Sequence, residues 1–97
     1  MSGIIRATPE ELNSVGGQYA VQSQNVEEVI RHLEDMKKHL IDIWEGEARN
    51  AFITQYEELK PSFVNMATLL QEVSQQLQST AKALADADQQ IASQIRG

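Results

Sequence analysis

Cysteine is absent from the 97 residues, which excludes disulfides, thiolate chemistry and cysteine-ligated zinc. Positive charge is scarce. Eight Lys and Arg stand against fourteen Asp and Glu, and a net charge of -6 argues against a surface that binds phosphate backbones, so no nucleic-acid partner is expected. Apolar runs are short. None nears the ~20 residues that cross a bilayer, so no stable membrane insertion is expected. The opening Met1-Ser2-Gly3-Ile4-Ile5-Arg6 lacks the apolar stretch of a secretory signal, and Ser2 breaks the myristoylation pattern. No segment alternates as a half-buried strand does. Composition alone therefore describes a soluble, helical, cytosolic chain that forms one domain, residues 1–97.

What is present is helical period. Leu12, Val15, Tyr19, Gln22, Val26, Val29, Leu33, Met36, Leu40 and Ile43 follow alternating steps of three and four, and all but Gln22 are apolar. A heptad seam this long predicts a helix over about 9–43 that packs on another helix. Glu27, Glu28, Arg31, Glu34, Asp35, Lys37 and Lys38 are expected on its solvated face. Thr8-Pro9-Glu10-Glu11 reads as its start: a hydroxyl at the N-cap, proline at the first helical position and Glu three residues on. Gly16-Gly17 inside it marks a weak spot or a close approach. Trp44-Glu45-Gly46 reads as its end, because Gly46 can take the positive φ at which a helix stops and the chain reverses.

A second helix is expected over about 47–92, with a frayed tail at 93–97. One of its rows runs Phe52, Leu59, Met66, Val73, Thr80, Ala87, and the other Tyr56, Phe63, Leu70, Leu77, Leu84, Ile91. Pro61 removes one helical hydrogen bond and predicts a kink, while the unbroken phase across it keeps one helix. The fold class is all-α: an antiparallel helical hairpin. Each helix is roughly 50 Å long or more at 1.5 Å per residue, so a lone hairpin has no globular interior. Its stripes are also wider than a two-stranded seam, with Ile30, Ile41 and Trp44 on one helix and Val64 and Leu69 on the other. A second hairpin covering them would give an elongated four-helix bundle, through a homodimer or a related hairpin partner. Leu33, Leu40, Phe52, Tyr56, Leu59, Phe63 and Leu70 are the expected hairpin and dimer seam.

A Trp-x-Gly corner between two long amphipathic helices resembles the Trp-x-Gly (WXG) family of roughly hundred-residue bacterial proteins, the Esx or early-secreted-antigen type. The segments Ile4-Ile5-Arg6-Ala7-Thr8-Pro9-Glu10-Glu11-Leu12, Tyr56-Glu57-Glu58-Leu59-Lys60-Pro61 and Ile91-Ala92-Ser93-Gln94-Ile95-Arg96-Gly97 look like its homodimeric branch from Gram-positive Firmicutes. The resemblance implies a substrate of a type VII (Esx/Ess) secretion system, exported as a folded dimer without a cleaved signal and acting as an adaptor or virulence factor. It implies a membrane-bound FtsK/SpoIIIE-type ATPase as partner, which reads a C-terminal signal. Leu84, Asp88, Ile91 and Ile95 match that signal's apolar-acid-apolar-apolar spacing. The actinobacterial Tyr-x-x-x-Asp/Glu form is missing, since Ser23 and Lys60 stand four residues after Tyr19 and Tyr56. The resemblance also suggests that Trp44 and the partner's C-terminal tail form one composite export surface.

Read from the residues alone, Leu84, Ile91 and Ile95 make one apolar stripe with Asp88 beside it. A groove with apolar pockets and a cation would recognise such a stripe. The same residues also suit the last turns of a bundle. His32 and His39 are seven apart, and two exposed ligands make a poor metal site. No nucleophile–base set, phosphate loop or carboxylate pocket is present, so neither enzyme activity nor a cofactor is expected. Two other functions remain open at this level: a cytosolic coiled-coil scaffold or chaperone-like adaptor, and a membrane-active effector. The acidic surface and the lack of a basic amphipathic face count against the effector.

Overall fold

The structure, a computed structural model, describes residues 7–96. Ile4-Ile5-Arg6 and Gly97 of the family resemblance lie outside them. Helix α1 spans Pro9–Ile43 and helix α2 spans Glu47–Arg96. Together they form an all-α helical hairpin, with no strand among the described residues.

The local chemistry explains the ends. The Thr8 hydroxyl oxygen accepts from the Glu11 amide at 3.1 Å, satisfying one orphan N–H of the first turn. The Glu11 carboxylate accepts from that same hydroxyl at 3.1 Å, so the acid closes on the cap side chain and not on the cap amide. α1 ends as the Trp44 amide donates to the Leu40 carbonyl at 3.0 Å, and Gly46 turns the chain at φ 119°. No basic residue occupies the last turn of α1. Arg49 of α2 supplies the missing charge: its Nη1 donates to the Ile41 carbonyl at 3.0 Å. α2 continues through Pro61 and runs to Arg96. Residues 93–96, expected to fray, are helical, and Ser93-Gln94-Ile95-Arg96 contains no breaker that would stop the helix earlier.

Packing divides the chain into two compact units, each built from a stretch of both helices. One is Gln22–Leu70; the other takes α1 up to Val21 and α2 from Gln71. In the second, Gly16 is buried, and a Cβ placed on it would meet the Ser74 carbonyl at 3.1 Å and the Leu77 Cβ at 3.3 Å. Gly17 has nothing within 4 Å. The pair is therefore a close-approach point at Gly16, with Gly17 open beside it. In Gln22–Leu70, the buried Ser23 hydroxyl donates to the Ala67 carbonyl at 2.7 Å.

The buried residues among those described are Gly16, Ser23, Ala67, Ser74 and Ala81. All are small, and they fall on one row of each helix at intervals of seven. Small residues on the facing rows leave the bulky ones beside the contact rather than within it.

Candidate functional site at the helix joint

The joint is built from the ends of both helices. Trp44 is half-buried, and its ring lies 6.2 Å from that of Phe52, tilted by 48°. This is a favourable aromatic separation. A Cβ added to Gly46 would meet nothing within 4 Å, so the backbone conformation alone requires glycine there.

Along the rest of Gln22–Leu70, the expected seam residues separate into two groups. Leu33, Leu40, Tyr56 and Leu70 are half-buried. Phe52, Leu59 and Phe63 remain 42%, 50% and 36% exposed. On α1, Val29, Met36 and Ile43 are exposed as well, and Met66 joins them on α2. Val26, Val29 and Leu33 line a groove of about 310 Å³ with Phe63, so these α1 positions share a side with Phe63 of α2. The opposite groove carries Glu27, Arg31 and Thr68 beside Val64. One side of this unit is thus apolar and bulky, the other mixed and charged.

The charged side holds a network that the heptad reading misses. Glu34 and Lys37 are half-buried and belong to the packing, contrary to their expected place on the solvated face. Lys37 stands seven residues after Ile30 and seven before Trp44, on the row that meets α2. Its Nζ donates to Glu57 at 2.6 Å and to Glu34 at 3.3 Å, and lies 5.6 Å from the Tyr56 ring centre. Lys60 donates to Glu34 at 2.9 Å. The Lys60 ammonium, first, and the Tyr56 hydroxyl, second, hold the Glu34 carboxyl down at about 2. Burial, and then the neighbouring Glu34, push the Tyr56 phenol up to about 12. The Tyr56 hydroxyl and Glu34 Oε2 are both buried without a formed hydrogen bond. The missed signal was the interruption itself: lysine at positions 37 and 60, where the row spacing calls for a packed residue.

The C-terminal stripe lies in the other unit. The first turn of α1 sits beside Ala81, Lys82 and Ala85. Beyond them every residue from Asp86 to Ile95 is exposed. Leu84 is half-buried, Ile91 is 55% and Ile95 81% exposed. Asp88 is exposed and has no ion-pair partner among the described residues, whereas Asp86 pairs with Lys82 at 3.1 Å. Among the described residues no three His, Asp or Glu side chains gather as metal ligands, and no helix is long and apolar enough to cross a membrane.

A family model described as "Proteins of 100 residues with WXG" matches residues 4–89, most of the chain and all of the joint. The chain belongs to the WXG100 family. Protein YukE of Bacillus subtilis is 52% identical over 97 residues, covering 100% of both chains. The type VII secretion system extracellular protein A of Staphylococcus aureus is 33% identical over 88 residues, 91% of each. A crystal structure of EsxA from Geobacillus thermodenitrificans superposes with a TM-score of 0.86 at 56% identity, covering 95% of this chain and 99% of that one. These WXG100 relatives come from Firmicutes, in keeping with the branch that the sequence resembles. The family match ends at residue 89, so Ile91 and Ile95 lie beyond it.

Proposed function

We propose that this WXG100 chain is a non-enzymatic substrate of a type VII secretion system. It pairs through the open side of Gln22–Leu70, leaves the cell as a folded dimer of hairpins without a cleaved signal, and acts outside as an adaptor or virulence-type factor. The pairing partner is a second copy or a related hairpin. Leu33, Leu40, Tyr56 and Leu70 close each hairpin, while Phe52, Leu59 and Phe63 meet the partner. An FtsK/SpoIIIE-type ATPase reads Leu84, Asp88, Ile91 and Ile95 together with the Trp44–Gly46 corner of the partner copy.

One observation carries this reading: a Trp44-x-Gly46 helix joint in a chain that aligns over 91% of its length with a protein named as extracellular and type VII. Two structural features support it. Several bulky apolar residues of the hairpin, Phe52, Leu59, Phe63 and Met66 among them, are exposed although small ones such as Ser23 and Ala67 are buried. Patches of that kind on a soluble chain commonly mark an interface. The stripe from Leu84 to Ile95 is also accessible along an exposed helix end, with a carboxylate at Asp88 that has no ion-pair partner among the described residues, as a groove-reading receptor requires.

The test is export. In the native host, the chain is expected in the culture supernatant of the wild type and only in the lysate when the ATPase gene is deleted. Asp88→Ala and Trp44→Ala should each reduce export while leaving intracellular helicity intact. Retention in the lysate of the wild type would instead favour a scaffold that stays in the cytoplasm.

A further inference from the structure

The rows that bring α1 and α2 together do not by themselves define one alignment. On α2 the buried residues Ala67, Ser74 and Ala81 recur every seven positions, and on α1 Gly16 and Ser23 do the same. Sliding one helix by a heptad exchanges one small residue for another. The Ser23 hydroxyl binds a main-chain carbonyl, that of Ala67, and the carbonyl of Ser74 would serve equally after the slide. The outward row repeats as well, with Phe52, Leu59 and Met66 at the same interval. At these small positions close packing is thus nearly indifferent to the shift.

The charges are not. Lys37 meets Glu57, and three residues back on α1 Glu34 meets Lys60, three residues forward on α2. Both pairs therefore belong to a single antiparallel alignment. Sliding α1 by one heptad toward Ser74 would set Lys37 opposite Val64 and Lys60 opposite Ile41. Glu34 would face Ala67, and Glu57 would face Trp44. All four groups would lose their partners on the other helix at once, and only the Lys37–Glu34 pair within α1 would remain. Breaking one side of a sheltered ion pair is costly because the group left behind stays charged in a poorly solvated place. Lys37 and Glu34 are the most sheltered of the four, with side chains 17% and 24% exposed.

We propose that the Glu34–Lys37–Glu57–Lys60 network is a register lock, which selects the observed alignment of α1 with α2 against the alignment shifted by one heptad. Polar groups on otherwise packed rows serve this purpose in helical bundles generally, trading stability for a unique register. The lock acts within one chain, independently of export or pairing with a second copy.

The chain has no cysteine, so an engineered pair reports alone. Ser23→Cys with Ala67→Cys reads the observed alignment. Ser23→Cys with Ser74→Cys reads the shifted one, because a disulfide needs Cα atoms within about 7 Å and a heptad along a helix spans about 10 Å. Both are formed in the full-length chain under glutathione exchange, and only the cross-link within one chain is counted. With the network intact, the 23–67 bridge should form and the 23–74 bridge should stay at background. With Glu34→Gln, Lys37→Met, Glu57→Gln and Lys60→Met together, the 23–74 bridge should rise at least tenfold while helicity is kept. Its failure to rise in a folded chain would overturn the lock and leave the Gly46 corner as the sole determinant of alignment. Should that variant not fold, charge exchange decides. The fully exchanged chain (E34K, K37E, E57K, K60E) should restore the 23–67 bridge alone. The half-exchanged chain (K37E, K60E) should lose it or gain 23–74. A half-exchanged chain that behaves like the parent, or a fully exchanged one that loses 23–67, refutes the proposal.

Discussion

Gly16 and Gly17 are adjacent and respond in opposite ways to the same substitution. Alanine favours a helix interior over glycine by about 1 kcal/mol. At Gly17 nothing lies within 4 Å of the new methyl group, so Gly17→Ala should raise stability by about that amount in urea unfolding. At Gly16 the methyl would meet a main-chain carbonyl, that of Ser74, at 3.1 Å, which cannot move unless α2 moves. Gly16→Ala should therefore lose about 1–3 kcal/mol, as overpacking does. The sequence raised both readings for the pair; what assigns them is the rotation of α1 about its axis, which a two-residue motif does not encode. Glu34 makes a second prediction at this scale. Its folded-state carboxyl sits near 2, against an ordinary value of 4.5. Between those limits the unfolded chain binds the proton and the folded chain does not, so this contribution to stability is full above pH 4.5 and is lost as pH falls toward 2. The thermal midpoint should drop over that window, and Glu34→Gln should flatten the drop. Tyr56 works at the other end: its phenol is held at about 12 rather than 10.0, so its share of stability persists below pH 10.0 and is lost as pH rises toward 12. Absorbance at 295 nm should show that late phenolate step, and Tyr56→Phe should remove it.

The two helices were the most legible elements. Steps of three and four over more than four heptads leave little choice but a helix, and Thr8-Pro9 and Trp44-Glu45-Gly46 carry the chemistry of a start and a stop. Less legible was which rows face which. Leu12, Val26, Leu33 and Leu40 lie half-buried, whereas Val29, Met36 and Ile43, equally apolar, point out. Hydrophobicity marks every row that will finally be covered and does not separate the hairpin's own contact from a later one. The rows in closest contact hold Gly16, Ser23, Ala67, Ser74 and Ala81, residues that a search for apolar bulk passes over. Lys37 is hidden for the same reason, since the heptad pattern equates charge with exposure. The element ends give a further test. Thr8→Ala removes an acceptor for the Glu11 amide and should cost about 1 kcal/mol. Gly46→Ala forces a side chain onto a φ of 119° and should cost about 1–3 kcal/mol, although no neighbour obstructs the methyl.

At the scale of the molecule, the exposed side chains of Gln22–Leu70 decide whether the chain lives alone. Full burial of one Leu or Phe side chain contributes about 1.5–3 kcal/mol, and Phe52, Leu59, Phe63, Val29, Met36 and Ile43 all retain a third or more of their surface. A second copy that covers this side twice over would gain from each of them in both chains. Sedimentation at micromolar concentration should accordingly give twice 10.9 kDa. Two substitutions then separate the hairpin's own seam from the pairing surface. Leu33→Asp strikes a half-buried position that lines the groove with Phe63, leaves an unpaired charge between the helices, and should unfold the chain or strip it of helix. Leu59→Asp strikes a side chain that is 50% exposed in the lone hairpin, so the charge stays solvated there and is buried only on pairing. It should yield monomers that keep much of their helicity and melt lower than the parent. Export then becomes informative in turn: a monomeric yet folded Leu59→Asp chain that still reaches the supernatant would separate secretion from pairing, whereas its retention would tie the ATPase to a surface that only two copies assemble.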